Sequence, residues 1–146
     1  LPAYKRPESV LVVIHSADAQ VLVMQRTGEG AEAFWQSVTG SLEWGESVES
    51  AAQRELQEET GLTVPVRSQH MSVRFEIRRA ALARFAPGTR WNTEHLFDCY
   101  LPSPLPITLC AEEHVRYEWL GKQEAIERVW SWTNKQAIQQ LVADSP

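Results

Sequence analysis

Between Glu43 and Glu59 the chain sets six glutamates, Glu43, Glu46, Glu49, Glu55, Glu58 and Glu59, against one cation, Arg54. With 14 Lys plus Arg and 19 Asp plus Glu overall, this window carries the whole net charge of −5 and the rest of the chain is balanced. The spacing predicts a helix over Ser47–Thr60: Val48, Ala52 and Leu56 recur at i, i+4 and i+8 as a packing stripe, and Gly61 follows where a left-handed cap is wanted. At about 100° per residue, Glu55, Glu58 and Glu59 fall together on a side away from that stripe, in the last turns. Like charges at this spacing cost about 0.2–0.5 kcal/mol per pair, and anions near a helix C-terminus oppose the macrodipole. A solvated acidic face is the ordinary outcome for Glu-rich helices. Arg54 can pair with Glu58 or Glu46 but cannot neutralise the set, so the cluster calls for a hard divalent cation with oxygen ligands, of which Mg²⁺ is the common one that also takes phosphate oxygens.

This helix needs something to pack on, and the rest of the sequence supplies strands. Val10–Ile14 and Val21–Met24 predict a hairpin joined by a turn around Ser16–Gln20, followed by a loop over Thr27–Ala33. Met71, Val73, Phe75 and Ile77 alternate with Ser72, Arg74 and Glu76, the period of a strand. Further strands are predicted at Glu94–Leu101, closed by Pro102, Pro104 and Pro106, and at Val115–Leu120, with Val115, Tyr117 and Trp119 on one face. Helices are predicted at Lys122–Val129 and at Asn134–Val142, the latter with Thr133 as its cap. Strands mixed with a few helices give an α/β or α+β sandwich, and 146 residues fit one domain, residues 1–146. The apolar runs are far below the ~20 residues of a membrane helix, no signal-type start precedes them, and no basic block favours nucleic acid, so the expectation is a cytoplasmic protein with no membrane and no nucleic-acid partner. Cys99 and Cys110, without CxxC spacing or a Cys/His set, read as two buried free thiols.

Gly40, Glu46 after five residues, then after seven more Arg54-Glu55-Leu56-x-Glu58-Glu59-x-Gly61-Leu62, match the Nudix box at all nine specified positions. The sequence therefore resembles the Nudix hydrolase family, with the box at 40–62. The resemblance implies an α/β/α sandwich with a mixed sheet, Mg²⁺ or Mn²⁺ bound by helix carboxylates, and attack of water on the phosphorus of a di- or triphosphate small molecule. It makes Glu55 and Glu59 metal ligands, with Gly40 offering its carbonyl. It leaves Glu58 as a ligand or the general base, Glu58 and Glu59 being the catalytic candidates, and gives Arg54 the structural role of orienting the helix through Glu46.

Outside the box, Lys5-Arg6-Pro7, Gln25-Arg26, Phe34-Trp35-Gln36-Ser37-Val38-Thr39-Gly40, Phe75-Glu76-Ile77, Asn92-Thr93-Glu94, Glu113-His114 and Ser131-Trp132 resemble the branch of that family formed by bacterial dihydroneopterin triphosphate pyrophosphatases. That resemblance implies release of pyrophosphate to leave the monophosphate, a step toward folate. It adds Glu113 as a metal carboxylate, and Lys5, Arg26, Thr39, Phe75, Glu76, Ile77, Arg78 and Ser131 as substrate contacts. Arg78 stands where an aromatic is expected. Chemically, Lys5 and Arg26 suit a triphosphate, and Glu76 suits the paired N–H edge of a pterin. Phe75, Trp35 and Trp132 compete to stack on the ring, and strand alternation opposes Phe75 and Glu76 sharing one pocket. His15, His70 and His95 read as structural, with His114 open beside Glu113. Two other readings compete: hydrolysis of oxidised nucleoside triphosphates on the same box, and an inactive ligand-sensing module. The sequence is silent on oligomeric state, and a monomer is compatible with it.

Overall fold

Alternation along β1 (Glu8–Ser16) organises the molecule. Val10, Val12 and Ile14 enter one core with Leu22, Met24, Phe97 and Cys99. Leu11 and Val13 enter a second with Val21, Val23 and Leu120. A strand that buries both faces must be central and covered on both sides, each fully buried Val or Leu contributing about 1.5–3 kcal/mol. The computed structural model, which describes residues 4–30 and 33–144, meets that demand with a helical layer on each face.

β1 runs parallel to β6 (Trp91–Leu101) along its length, and β6 pairs antiparallel with β5 (Arg67–Glu76) at the sheet margin. On its other side β1 meets two strands in turn: β4 (Val38–Ser41) beside its first half and β2 (Gln20–Arg26) at its end. β2 also pairs with β3 (Trp35–Gln36) and β7 (His114–Gly121), giving a mixed seven-stranded sheet. Helix α1 (Val48–Thr60) covers the Val10 face, and α2 (Lys122–Arg128) with α3 (Trp132–Leu141) covers the Leu11 face. The expected α/β/α sandwich with a mixed sheet is therefore found.

Local signals account for most boundaries. The Ser47 side chain caps α1 by accepting from the Ser50 N–H, and Gly61 closes it at φ 76°, the left-handed region. Helix α3 begins two residues before the expected Asn134, because Ser131 rather than Thr133 is the cap: its Oγ accepts from the Asn134 N–H. Of the expected loop Thr27–Ala33, residues 31–32 lie outside the described residues. The expected apolar face of β5 is only partly covered, with Met71 exposed at the margin, and Val115 of β7 is likewise exposed. Cys99 is buried and Cys110 half-buried, and both are free.

Candidate active site

The box occupies β4, the following loop and α1, and its parts interlock. The Arg54 guanidinium grips Glu46 with two bonds, Nε to Oε2 at 2.7 Å and Nη2 to Oε1 at 2.8 Å, and Nη2 also donates to the Ser41 carbonyl at 3.2 Å. The bond from Arg54 holds the Glu46 carboxyl at about 2, well below its ordinary range. Arg6 pins the same loop by donating to the carbonyls of Glu43 and Glu46. At Gly40 the backbone comes so close to α1 that a Cβ built there would fall inside the Glu55 carboxyl group and would displace it.

The three helix carboxylates do not share one solvated face. Glu55 and Glu59 are buried beside Ala51, Ala52 and Leu56, so α1 packs along two adjacent stripes, and only Glu58 stays exposed. Arg54 Nη1 lies 3.3 Å from both Glu55 and Glu58. Burial raises the Glu55 carboxyl, against the pull of Arg54. Burial raises Glu59 further, reinforced by Glu55 and Glu113. Glu59 faces Glu113 and His114 at the start of β7, one ligand atom from each lying within 4.8 Å of the others. The Glu59 Oε1 and His114 Nδ1 atoms are buried without a hydrogen-bond partner, 4.0 Å apart. Burial and then the charge of Arg26 lower His114 to about 4, so it is neutral at pH 7. The unpartnered Glu59 oxygen and the crowd of hard oxygen donors around it fit a divalent cation, while Gln36 Nε2 lies 3.2 Å from His114 Nε2 and so leaves the proton of the neutral ring on Nδ1, facing Glu59.

On the α3 side of the sheet lies a cavity of about 520 Å³ that reaches Thr39 and Gly40 beside this cluster. All eight expected substrate contacts, Lys5, Arg26, Thr39, Phe75, Glu76, Ile77, Arg78 and Ser131, line it. Lys5 is held below its ordinary pKa by burial and then by the charges of Arg84 and Arg26, and Lys5 and Arg26 give the cavity lining a cationic side suited to an anion. Arg78 lies 5.4 Å from the Phe34 ring centre and 5.0 Å from that of Trp130, forming a flat wall where an aromatic was expected. Trp132 also lines the cavity, whereas Trp35 packs into the second core and carries Arg128 on its ring.

A family model for the NUDIX domain matches residues 5–141. This chain belongs to the NUDIX family. It is 41% identical to the dihydroneopterin triphosphate diphosphatase of Escherichia coli K12, over 97% of this chain and 96% of that one. To the enzyme of the same name from Haemophilus influenzae it is 35% identical, over 95% and 89%. The solved structure of the E. coli dihydroneopterin triphosphate pyrophosphohydrolase superposes with a TM-score of 0.86 at 41% identity, covering 95% of this chain and 97% of that one. NUDIX hydrolases generally use a divalent metal, and among the described residues Glu59, Glu113 and His114 form a cluster that could hold one, a cluster that does not include the expected Glu55. The chain is a NUDIX pyrophosphohydrolase acting on a phosphorylated small molecule.

Sequence reasoning left His114 open and did not single out Glu94 in this NUDIX site. His114 joins the metal corner, for which its adjacency to Glu113 was the available hint. Glu94 is 6% exposed in the cavity lining, and burial raises its carboxyl to about 7. Its Oε1 has no partner, a condition that costs about 1–3 kcal/mol for a buried polar group. Glu76, by contrast, is exposed and bound to Arg90 at 2.7 Å.

Proposed function

We propose that this chain hydrolyses dihydroneopterin triphosphate to dihydroneopterin monophosphate and pyrophosphate, with Mg²⁺ as the metal and Mn²⁺ able to replace it. The observation that carries this reading is one cavity lined by all eight expected substrate contacts, which reaches Thr39 and Gly40, where Gly40 lies against the Glu55 carboxyl. It is supported by likeness to enzymes of that name over nearly the full chain. Glu55, Glu59 and Glu113 would hold the ion. When bound, it shields phosphate charge, polarises the P–O bond and makes water more acidic.

The chain's own groups do the rest. Lys5 and Arg26 draw the triphosphate to the Thr39–Gly40 edge of the cavity. Arg54, tied to Glu46, Ser41, Glu55 and Glu58, fixes α1 against β4 so that the carboxylates keep their place. A carboxylate of α1, Glu58 or Glu59, takes the proton of the attacking water. Phe75, Glu76, Ile77, Arg78 and Ser131, which line the cavity, would bound the ring. In this reading residues 1–146 act as one domain, in the cytoplasm, with no nucleic-acid partner. The intact carboxylate set argues against a module that has lost turnover.

The test is a comparison of kcat/KM for dihydroneopterin triphosphate and for a panel of ordinary and oxidised nucleoside triphosphates under Mg²⁺, with products identified. Preference for the pterin and release of intact pyrophosphate are expected. A large preference for any nucleotide would reject the assignment.

A further inference from the structure

Besides the metal corner, one residue of the cavity lining keeps a buried polar atom without a partner. Among the described residues, the buried side-chain atoms with no hydrogen bond are Glu59 Oε1, His114 Nδ1 and Glu94 Oε1. The first two belong to the metal cluster. The other polar groups around Glu94 are already engaged within the protein. Asn92 Nδ2 donates to Ser9 Oγ at 2.8 Å. Asn134 Nδ2 donates to Ser37 Oγ at 2.9 Å, and Asn134 Oδ1 accepts from the Ser37 N–H at 2.8 Å. Glu94 meets the Thr133 side chain, and its remaining oxygen faces no donor.

Register places this carboxylate apart from the metal corner and beside an aromatic. Ser9 pairs with Ser41 of β4 on one side and with Glu94 of β6 on the other, so Glu94 stands two strand spacings, roughly 10 Å, from the β4 edge of the cavity. On its far side Glu94 pairs with Val73 and Asn92 with Phe75, and directly paired residues share a face. Phe75 and Glu94 therefore stand on the same face of the sheet, and Glu76 lines the cavity as well despite its opposite parity in β5, so the expectation that alternation keeps Phe75 and Glu76 out of one pocket does not hold. We infer that Glu94, a buried carboxylate with a free oxygen beside Phe75, is the residue that reads the substrate's ring, accepting the adjacent N–H donors of a 2-amino-4-oxo heterocycle. The choice of a pterin ring rests on the function proposed above. A carboxylate accepts through both oxygens and donates nothing when ionised, so it favours a ring that presents two neighbouring donors and disfavours one with an oxygen at the same place.

Ring binding is separable from turnover and is measured with two rings that carry no phosphate: pterin, with the 2-amino group, and lumazine, with oxygen there. Fluorescence titration of the full chain should show pterin bound more tightly by wild type. Glu94→Gln should weaken pterin by about 10–100-fold and bring the two rings close to parity. Glu94→Asp, which keeps the charge but withdraws it, should retain the preference at lower affinity, and it carries the comparison if the Gln variant fails to fold. An unchanged pterin-to-lumazine ratio in the folded variants, or no pterin binding by wild type, would overturn the inference. Pyrophosphate release from dihydroneopterin triphosphate, run alongside, separates the two claims. Glu94-dependent ring selectivity without cleavage would sink the proposed activity and keep the inference. Cleavage with a Glu94→Gln variant of wild-type kcat/KM and selectivity would do the reverse.

Discussion

Replacing Glu94 by Gln has a stability consequence whose sign and size follow from its surroundings. Burial raises this carboxyl from 4.5 to about 7. Between those values the native protein keeps a proton that the unfolded chain has released, so the native state loses stability as pH rises through the window. About 2.5 pH units at about 1.4 kcal/mol each give a loss of about 3 kcal/mol, complete above pH 7. Gln is isosteric, has no charge to bury and can keep the Thr133 contact. The variant and wild type should therefore match in stability near pH 4 and diverge with rising pH, until Glu94→Gln is more stable by about 3 kcal/mol at pH 8, or about 6–12 °C in Tm. Urea unfolding of both proteins at pH 4 to 8 in chelator measures this directly. The metal-corner carboxylates titrate in both proteins and cancel in the difference. A gap that stays flat with pH, or one in which wild type gains on the variant as pH rises, would refute the account. A residue kept at such a cost to the fold is one that function retains, as the ring-reading role requires.

Two further substitutions probe the metal corner. Glu59→Gln removes the most crowded carboxylate, so the metal-free protein should melt at the same or a higher temperature, while pyrophosphate release falls by on the order of 10²–10³-fold or more. Mg²⁺ at 100 times its Kd should stabilise wild type by about 2.7 kcal/mol and this variant far less, and equal stabilisation of the two would reject the ligand assignment. Gly40→Ala forces a methyl group into the space of the Glu55 carboxyl, and it should cost about 1–3 kcal/mol in unfolding free energy. It should also weaken Mg²⁺ binding in calorimetry by about tenfold or more, and wild-type affinity would show that Glu55 is free to move aside.

Much of this protein is legible along the chain because the signals are local. Ser47, the Val48–Ala52–Leu56 stripe and Gly61 bound α1 without reference to any other segment. The box spacing from Gly40 to Leu62 spans consecutive elements, and motif residues 5 to 131 that lie far apart in sequence converge on one cavity. The local reading failed where a neighbour intervened. Glu55 and Glu59 lie outside the apolar stripe by sequence, yet both are buried, Glu55 where β4 comes against it at Gly40. Thr133 looks as good a cap as Ser131, and the choice fell to the residue whose backbone stays extended before the first turn.

Glu94 shows the division most clearly. Its parity in β6 is that of Asn92, Leu96 and Asp98, opposite to the apolar Phe97, Cys99 and Leu101, so alternation gave no sign that it is buried. What alternation within one strand cannot say is which residues stand opposite. The parallel pairing of β1 with β6, separated by some eighty residues of chain, and the antiparallel return of β5 set Glu94 between Ser9 and Val73, with Asn92 and Phe75 alongside. Sequence alone determined the helix, its caps and the set of carboxylates, since these depend on spacing within a few turns. Only the tertiary structure decided which carboxylates lose their water and which oxygen is left without a partner, since desolvation and register arise from contacts between segments remote along the chain.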